Sequence, residues 1–469
     1  MHSEIEQGRT DWWLLLRKAV AGRGGEPTRG PLVPAIISLA VPMVLEMLME
    51  SLFVVVNIFF VSRLGAAAAA AIGLTESLLA IIYTVAMGLS IGVMAMVARR
   101  MGEGDSDGAA NTAFQGIALG LFIATVLGIV GGIYARDLLR LMGANDEIVA
   151  VGGTFATIML AGNGVILLLF MMNAAFRGSA DAAIAMRVLW IANGINLMLD
   201  PCLIFGLGPF PELGVTGTAV ATTIGRGVGV SLQLYVLFGG HARIKLAWRH
   251  VRLNSAVMLR VLRLSGTGML QIFISTASWI GLVRVVSGFG SEAIAGYTIA
   301  IRIVLFALLP AWGLANAAAT MVGQNLGARQ PDRAERAAWI AGHINFALLG
   351  AVGIFFMLAG PWLVHWFGGD GETHAYAVRC LRIVSAGFFF YGYGMVLANA
   401  FNGAGDTWTP TFLNFFCFWL FELPLAWLLA HSLGWGPEGV FTAVAVAFST
   451  LAVASAWMFQ RGGWKRVVV

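Results

Sequence analysis

Apolar residues fall along this chain in long unbroken blocks, and polar residues gather between them. Twelve blocks, at residues 34–62, 71–98, 112–134, 148–174, 184–206, 214–238, 258–287, 296–322, 338–366, 377–401, 409–430 and 437–459, predict twelve helices. Each is long enough to carry an α-helix across a ~30 Å hydrocarbon core, which takes about 20 residues. A backbone in lipid has no water to bond, so only helices and closed barrels span it. Continuous runs without alternation select helices. Clusters of glycine, proline and aspartate at 102–107, 206–211 and 403–407 mark turns between blocks.

The blocks repeat. At a constant offset of 225 residues Leu45 meets Leu270, Val61-Ser62 meets Val286-Ser287 and Gly65 meets Gly290. The same shift pairs Gly88-Leu89 with Gly313-Leu314, Met96-Val97 with Met321-Val322 and Gly102 with Gly327. It still holds where Phe176, Gly178 and Asp181 fall on Phe401, Gly403 and Asp406. Six spans per half is an even number, so both halves enter the membrane in one orientation, as parallel repeats about an axis along the membrane normal. The expected organisation is a tail at 1–30, a first lobe at 31–238 holding helices 1 to 6, and a basic linker at 239–257. A second lobe at 258–460, holding helices 7 to 12, and a tail at 461–469 complete it.

Composition agrees, with 59% hydrophobic and 11% charged residues and a mean hydropathy of +0.82; soluble domains run at roughly 45–50% and 25%. The net charge of +5 is unevenly spread. One set of connections carries Arg99, Arg100, Arg177, Arg187, Arg243, Lys245, Arg249, Arg252, Arg260, Arg263, Arg329, Arg333 and Arg336. The other carries Arg63, Arg136, Arg140 and the span-edge pair Arg379 and Arg382. The positive-inside rule therefore predicts a multi-pass protein of the cell's inner (plasma) membrane with both termini cytoplasmic. The basic excess is topology signal and headgroup attraction, so the bilayer is the expected partner and nucleic acid is not. Trp12, Trp13 and Leu14 to Leu16, followed by Arg17-Lys18, lack a small-residue cleavage site and read as an interfacial helix or a loose tail. Cys202, Cys380 and Cys417 have no CxxC spacing and read as packing residues.

A carboxylate at the bilayer centre costs about 2.5–3.5 kcal/mol on insertion scales, so an intramembrane acid is functional by default. In the first span Glu46, Glu50 and Asn57 are four and seven residues apart; at about 100° per residue they share an arc of about 40°. Pro42, just before them, frees a carbonyl and permits a bend. The fifth span offers Asn193, Asn196 and Asp200 before Pro201, and the sixth offers Thr222. Together these predict an oxygen-rich chamber in the first lobe. Hard oxygen ligands suit a desolvated cation, with Na+ expected at Asp200, Asn196 and Asn57. Equally, a desolvated carboxylate binds and releases a proton.

Interhelical hydrogen bonding is the competing use of such groups. For Asp200 and Glu50 coupling is the favoured reading, whereas Glu46, nearer the cytoplasmic end, is expected to snorkel. Arg226, mid-span between two glycines, reads as a charge partner of these acids, as a substrate contact or as a structural ion pair; for Glu76, Arg284 and Arg302 pairing is favoured. The second lobe is no chemical copy, because the offset turns Glu46 into Gln271, Glu50 into Ser275 and Asn57 into Leu282. Glu422, two residues before Pro424, reads as a second protonation site, a charge or substrate contact, or helix glue, with glue the simpler. Phe388 to Tyr391, Tyr393, Phe415, Phe416, Phe418 and Trp419 suit either ordinary packing or a pliable cavity for flat organic cations.

Over residues 31–460 the chain resembles the multidrug and toxic compound extrusion (MATE) family. The resemblance is carried by Pro42 with Val61-Ser-Arg-Leu-Gly65, and by residues 196–206 (Asn-Leu-Met-Leu-Asp-Pro-Cys-Leu-Ile-Phe-Gly) with 213–217 (Leu-Gly-Val-Thr-Gly). Residues 322–328 (Val-Gly-Gln-Asn-Leu-Gly-Ala) and 402–410 (Asn-Gly-Ala-Gly-Asp-Thr-Trp-Thr-Pro) add to it. Each pattern is loose, but their order across two lobes is specific. The resemblance implies an all-α integral membrane protein of twelve helices, in two six-helix lobes around a central cleft that opens alternately to either side. It implies export of small organic, often cationic, compounds driven by inward Na+ or H+ flow. It also implies an ion-coupling chamber at Asn57, Asn196, Asp200 and Thr222. The first of these is usually aspartate in the family; Glu50, on the same face, stands as its replacement.

The expected activity is thus secondary active antiport by alternating access, with H+ or Na+ as coupling cation and no cofactor, in a monomer. A lipid or polysaccharide-lipid flippase is the runner-up; it calls for extra spans or a strongly cationic central cavity, to which Arg226, Arg284 and Arg302 would contribute. The chain has no GxxxxGK[ST] loop to hydrolyse ATP, and no HExxH or magnesium-holding acidic cluster, so a membrane-embedded enzyme ranks last.

Overall fold

The protein is described by a computed structural model covering residues 12–467 except Gly369, with the side chains of Ile58 and Ser62 left aside. The described residues contain helices and no strand. After α1 (Trp12–Val20) come α2 (Leu32–Val61), α3 (Ala66–Gly102), α4 (Ser106–Leu141), α5 (Asp146–Ala161), α6 (Gly164–Gly178), α7 (Ala182–Phe205) and α8 (Val215–Phe238). The second half has α9 (Ser255–Val286), α10 (Ser291–Gly327), α11 (Pro331–Trp366), α12 (Gly371–Ala386) and α13 (Phe388–Ala404). It ends with α14 (Trp408–Asn414), α15 (Leu423–Trp427) and α16 (Pro437–Gln460). Among the described residues eleven helices or fused helix pairs are long and apolar enough to cross a membrane, and α12 with α13, bent by 58°, make a twelfth when the pair is counted as one span.

The twelve spans are those the apolar blocks predict, but several helices outrun them. The second block ends at residue 98, while α3 continues through Arg99 and Arg100 to Gly102. Hydropathy marks where lipid begins, whereas hydrogen bonding decides where the helix stops. The helix goes on into the polar layer until its turn residues intervene.

The repeat is written into the backbone. Helices α3, α4 and α5 begin and end 225 residues before α10, α11 and α12. Helices α2 and α9 each finish in a 3₁₀ turn, Ser62–Leu64 and Ser287–Phe289. Each turn is followed by a glycine at positive φ, Gly65 at 91° and Gly290 at 102°, where a Cβ would be strained. The α5–α6 and α12–α13 interruptions correspond as well. At the first, Asn163 Nδ2 donates to Leu160 O at 2.7 Å, a carbonyl that a continuous helix would have satisfied, and to Ala124 O of α4 at 3.2 Å.

Contacts divide the chain into two compact units, Leu45–Gly266 and Met1–Val44 with Thr267–Val469. The cuts fall inside α2 and α9. In the first unit residues 239–257, expected as a basic linker, are tied down. Asp181 Oδ2 accepts from the Arg243 backbone N–H at 2.5 Å, and Asp107 meets Arg249 at 2.6 Å. Gln115 donates to Arg252 O at 2.7 Å and accepts from Asn254 N at 3.1 Å. Burial pushes the Asp181 carboxyl above its ordinary range, partly offset by its bonds to Arg243.

In the second unit the N-terminal segment is held by Arg333, which donates to Pro27 O at 3.3 Å and Arg29 O at 3.1 Å, and by Asn325, which reaches Pro27 O at 3.3 Å. Helix α1 leaves Trp12, Trp13, Leu14 and Leu16 exposed beside Arg17 and Lys18, the composition expected of an interfacial helix. Residues 1–11 of the expected N-terminal tail and 468–469 of the C-terminal one lie outside the described residues.

Candidate ion-coupling site

Helices α7 and α8 pack closely in the first unit because a glycine lets them. A Cβ on Gly225 would sit 2.7 Å from Ala192 O and 3.1 Å from Asn196 Cβ. That approach brings Thr222 of α8 against Asn196 of α7, with Asp200 one turn beyond on the same face of α7. With its amide turned so that nitrogen faces the acid, Asn196 donates to Asp200 Oδ2 at 2.8 Å and accepts from Thr222 N at 3.1 Å and Thr222 Oγ1 at 2.9 Å. This orientation satisfies both ends of the amide. Asp200 is fully buried, and its Oδ1 has no hydrogen-bond partner among the described residues. Pro201 has no N–H, so the carbonyl of Leu197 loses its helical donor beside the same acid. The result is a small pocket of oxygens with one carboxylate oxygen left open.

Glu50 stands nearby on α2 and accepts from Asn193 Nδ2 of α7 at 3.3 Å. Arg226 is not salt-bridged to it. Its Nη1 donates to Tyr83 OH at 2.9 Å, its guanidinium lies 5.7 Å from the Tyr83 ring centroid, and it feels the Glu50 charge at longer range. Tyr83 in turn meets Phe170 edge-on, 6.0 Å between centroids.

Two expectations on the first span are revised. Glu46 does not snorkel: it is 0% exposed. Its Oε1 accepts from Arg177 Nη2 at 2.5 Å and Asn173 Nδ2 at 3.3 Å, and Asn173 Oδ1 accepts from Gln233 Nε2 at 2.5 Å. An inward-facing arginine on α6 outcompetes headgroup water for this acid. Asn57 is half-buried at the far end of α2 and, among the described residues, makes no hydrogen bond to Asn196, Asp200 or Thr222. Pro42 sits inside an α2 that is helical throughout Leu32–Val61.

The second unit gathers different groups. Asn414 Nδ2 donates to Ser275 Oγ at 3.0 Å, and Trp419 Nε1 donates to Ile274 O at 2.9 Å. Gln271 is buried with its Oε1 unpaired among the described residues. Of the aromatics, Tyr391 stacks on Phe448 at 3.9 Å and Phe388 is buried, so these two are packing residues. Arg284 and Arg302 are exposed and, contrary to expectation, enter no ion pair among the described residues. Glu422 is buried, but as helix glue it fails: it forms no hydrogen bond or ion pair among the described residues. It closes a π-helical stretch, Phe415–Glu422, and a second such stretch covers Leu428–Ser432.

Reading the sequence alone missed Arg177, Asn173, Gln233 and Tyr83. Asn173 and Arg177 are four apart on one helix, a signal present in the sequence. Tyr83 carries no such mark. The π winding leaves no sequence trace beyond the neighbouring Pro424.

Two six-span repeats, the first with a buried acid, amide and hydroxyl between two of its helices, are the build of a polytopic helical membrane transporter. The chain belongs to the MatE family, whose family model matches residues 42–202 and again 268–428. It is 24% identical over 432 residues to the probable multidrug resistance protein YoeA of Bacillus subtilis, covering 91% of this chain and 93% of that one. It is 25% identical to an FAD transporter of Shewanella oneidensis, covering 92% and 95%. Among solved structures, it is similar to an outward-facing multidrug resistance MATE family transporter of the MOP superfamily, at TM-score 0.87 and 27% identity, covering 97% and 99%. A MOP superfamily transporter from Pyrococcus furiosus, described by a reversed polarity of its binding pocket, matches at TM-score 0.87 and 27% identity, covering 96% and 99%.

Proposed function

We propose that this protein is a cation-coupled exporter of small organic compounds, with Asp200, Asn196 and Thr222 as its coupling site and Glu50 as the flanking acid. One observation carries the reading: the open Oδ1 of a fully buried Asp200, beside an amide and a hydroxyl whose own bonds are complete. An ionised carboxylate in that setting calls for a cation, and a neutral one for a proton. Loading and unloading it changes the charge carried by α7 and α8, which gives an ion gradient a hold on conformation. The coupling cation is H+ or Na+. The cargo class follows from relatives named as a probable multidrug resistance protein and an FAD transporter. The arginine asymmetry supports an inner-membrane protein with both termini in the cytoplasm, and the parallel repeat supports transport by alternating access within one chain.

Purified protein in liposomes, given an imposed pH or sodium gradient and a fluorescent organic cation as cargo, tests this. Gradient-driven uptake should fall at least tenfold in Asp200→Asn and more modestly in Glu50→Gln. Unchanged transport in both variants would remove the coupling site, and wild-type transport indifferent to either gradient would remove the exporter reading.

A further inference from the structure

Glu422 is 2% exposed in a span that carries no other charged side chain. The side chains placed to feel its charge are Tyr297 of α10, Tyr391 of α13 and Cys417 of its own π turn. None of them is a cation. The helices packed around it bring none to it: α13 and α14 have no charged residue, the one on α16 is Glu438, paired with Arg379 at 2.7 Å, and Arg284 of α9, Arg302 of α10 and His431 of its own span are exposed. Tyr297, whose hydroxyl is buried, likewise lacks a hydrogen-bond partner among the described residues. An acceptor and a donor are thus both orphaned in one buried neighbourhood, which native interiors rarely tolerate without something to complete them.

An ionised carboxylate left so would cost several kcal/mol, whereas a neutral acid costs far less. A dehydrated metal ion needs a cage of oxygens, and among the described residues no group of three or more His, Cys, Asp or Glu side chains is placed to hold one. We infer that Glu422 is a second proton-carrying site, in the repeat that lacks the Asp200 acid. Its place supports this. The span Trp408–Ser432 is the fifth of its repeat, as α7 is of the first, and each pairs one buried acid with a nearby proline, Asp200-Pro201 and Glu422-Leu423-Pro424. The second acid stands three residues out of the 225-residue register. The π-helical turns around it loosen the normal bonding ladder where a proton must enter and leave, a common setting for π segments.

This site stands independently of the coupling role proposed for Asp200. Infrared spectra of the full-length Asp200→Asn variant in lipid nanodiscs at neutral pH should retain a protonated-carboxyl C=O band that exchanges with deuterium. The band should vanish in Asp200→Asn/Glu422→Gln and shift in frequency in Asp200→Asn/Glu422→Asp, which keeps the acid if the glutamine variant fails to fold. A band already missing in Asp200→Asn, or unmoved by both Glu422 substitutions, would overturn the inference, whatever the transport assay says of Asp200.

Discussion

Arg177 reaches Glu46 with two prongs, Nη2 to Oε1 at 2.5 Å and Nε to Oε2 at 3.3 Å, and so neutralises an acid that has no exposure at all. The pair is a lock between α2 and α6 within one unit, so it is distinguishable from the coupling acids. Buried pairs tolerate joint replacement far better than the loss of one partner, which leaves the other charge uncompensated at about 3–5 kcal/mol. Glu46→Ala alone should therefore lower thermal stability in detergent strongly, and Glu46→Leu with Arg177→Met much less. If the double variant unfolds no later than the single, the pair is not what holds these helices.

Thr222 tests the coupling pocket with one atom. Its hydroxyl meets the Asn196 amide at 2.9 Å, and a hydrogen bond of this kind contributes about 1 kcal/mol, or roughly fivefold in an equilibrium constant. Thr222→Val, close in shape, should raise the concentration of coupling cation giving half-maximal transport by about that factor, and Thr222→Ser should leave it near wild type. Equal behaviour of the two variants would take the hydroxyl out of the site.

How much of this was legible in the chain follows from what kind of signal each residue leaves. Asp200, Asn196 and Thr222 announce themselves because a polar atom in a membrane span is costly, and a spacing of four residues fixes a shared face. Glu46 lies on the expected face of α2, yet it is buried against Arg177 and does not snorkel: periodicity says which way a side chain points and nothing about what meets it. Arg177, at the polar end of α6, looks like a topology signal until the fold turns it inward. Asn57 shows the limit of the same rule, since three residues on one face need not reach one pocket. Glu422 was visible as an acid beside a proline, but its isolation depends on four helices at once.

The repeat itself locates a local strain. Ala180 and Arg329 are the two non-glycine residues at positive φ, 65° and 58°, among the described residues. Their partners at the repeat offset are Gly405 and Gly104, at 88° and 78°. All four close a helix through the same bond, from the N–H of the residue that follows each to the carbonyl five residues before that donor, as in Asp181 N to Phe176 O at 2.8 Å and Asp406 N to Phe401 O at 3.0 Å. A left-handed conformation costs an L-residue about 1 kcal/mol that glycine avoids. Ala180→Gly should raise thermal stability by about that amount, and a drop in melting temperature would count against the assigned backbone.

The C-terminal turn predicts a pH dependence. Lys465 binds Glu335 at 2.6 Å and Asp332 at 3.4 Å, and the bond to Glu335, ahead of the Asp332 contact, holds its ammonium above the ordinary lysine range. A raised folded-state value means that the contribution is complete below the unfolded lysine value of about 10.4 and fades as pH climbs through the folded one. Lys465→Met should thus melt earlier than wild type at pH near 8, with the gap closing only above about pH 10.4. A gap that is constant across that range would assign the loss to packing against Trp464 rather than to charge.

A close approach of two helices recurs in both repeats, as the turns do. A Cβ on Gly403 would lie 2.1 Å from Ala319 O and 2.6 Å from Ala319 C, and one on Gly178 would lie 2.8 Å from Met94 O. Met94 and Ala319 are themselves partners under the 225-residue offset, so α3 touches α6 where α10 touches α13. A backbone carbonyl cannot rotate aside as a side chain does, and forcing extra atoms into a packed interface costs about 1–3 kcal/mol or more. Gly403→Ala should therefore destabilise more than Gly178→Ala. Gly73→Ala, where a Cβ would meet nothing within 4 Å, should be neutral or stabilising, because alanine favours helix over glycine by up to about 1 kcal/mol. Melting curves of the three variants in one detergent decide it, and a tolerated Gly403→Ala would show that α10 and α13 stand farther apart than described.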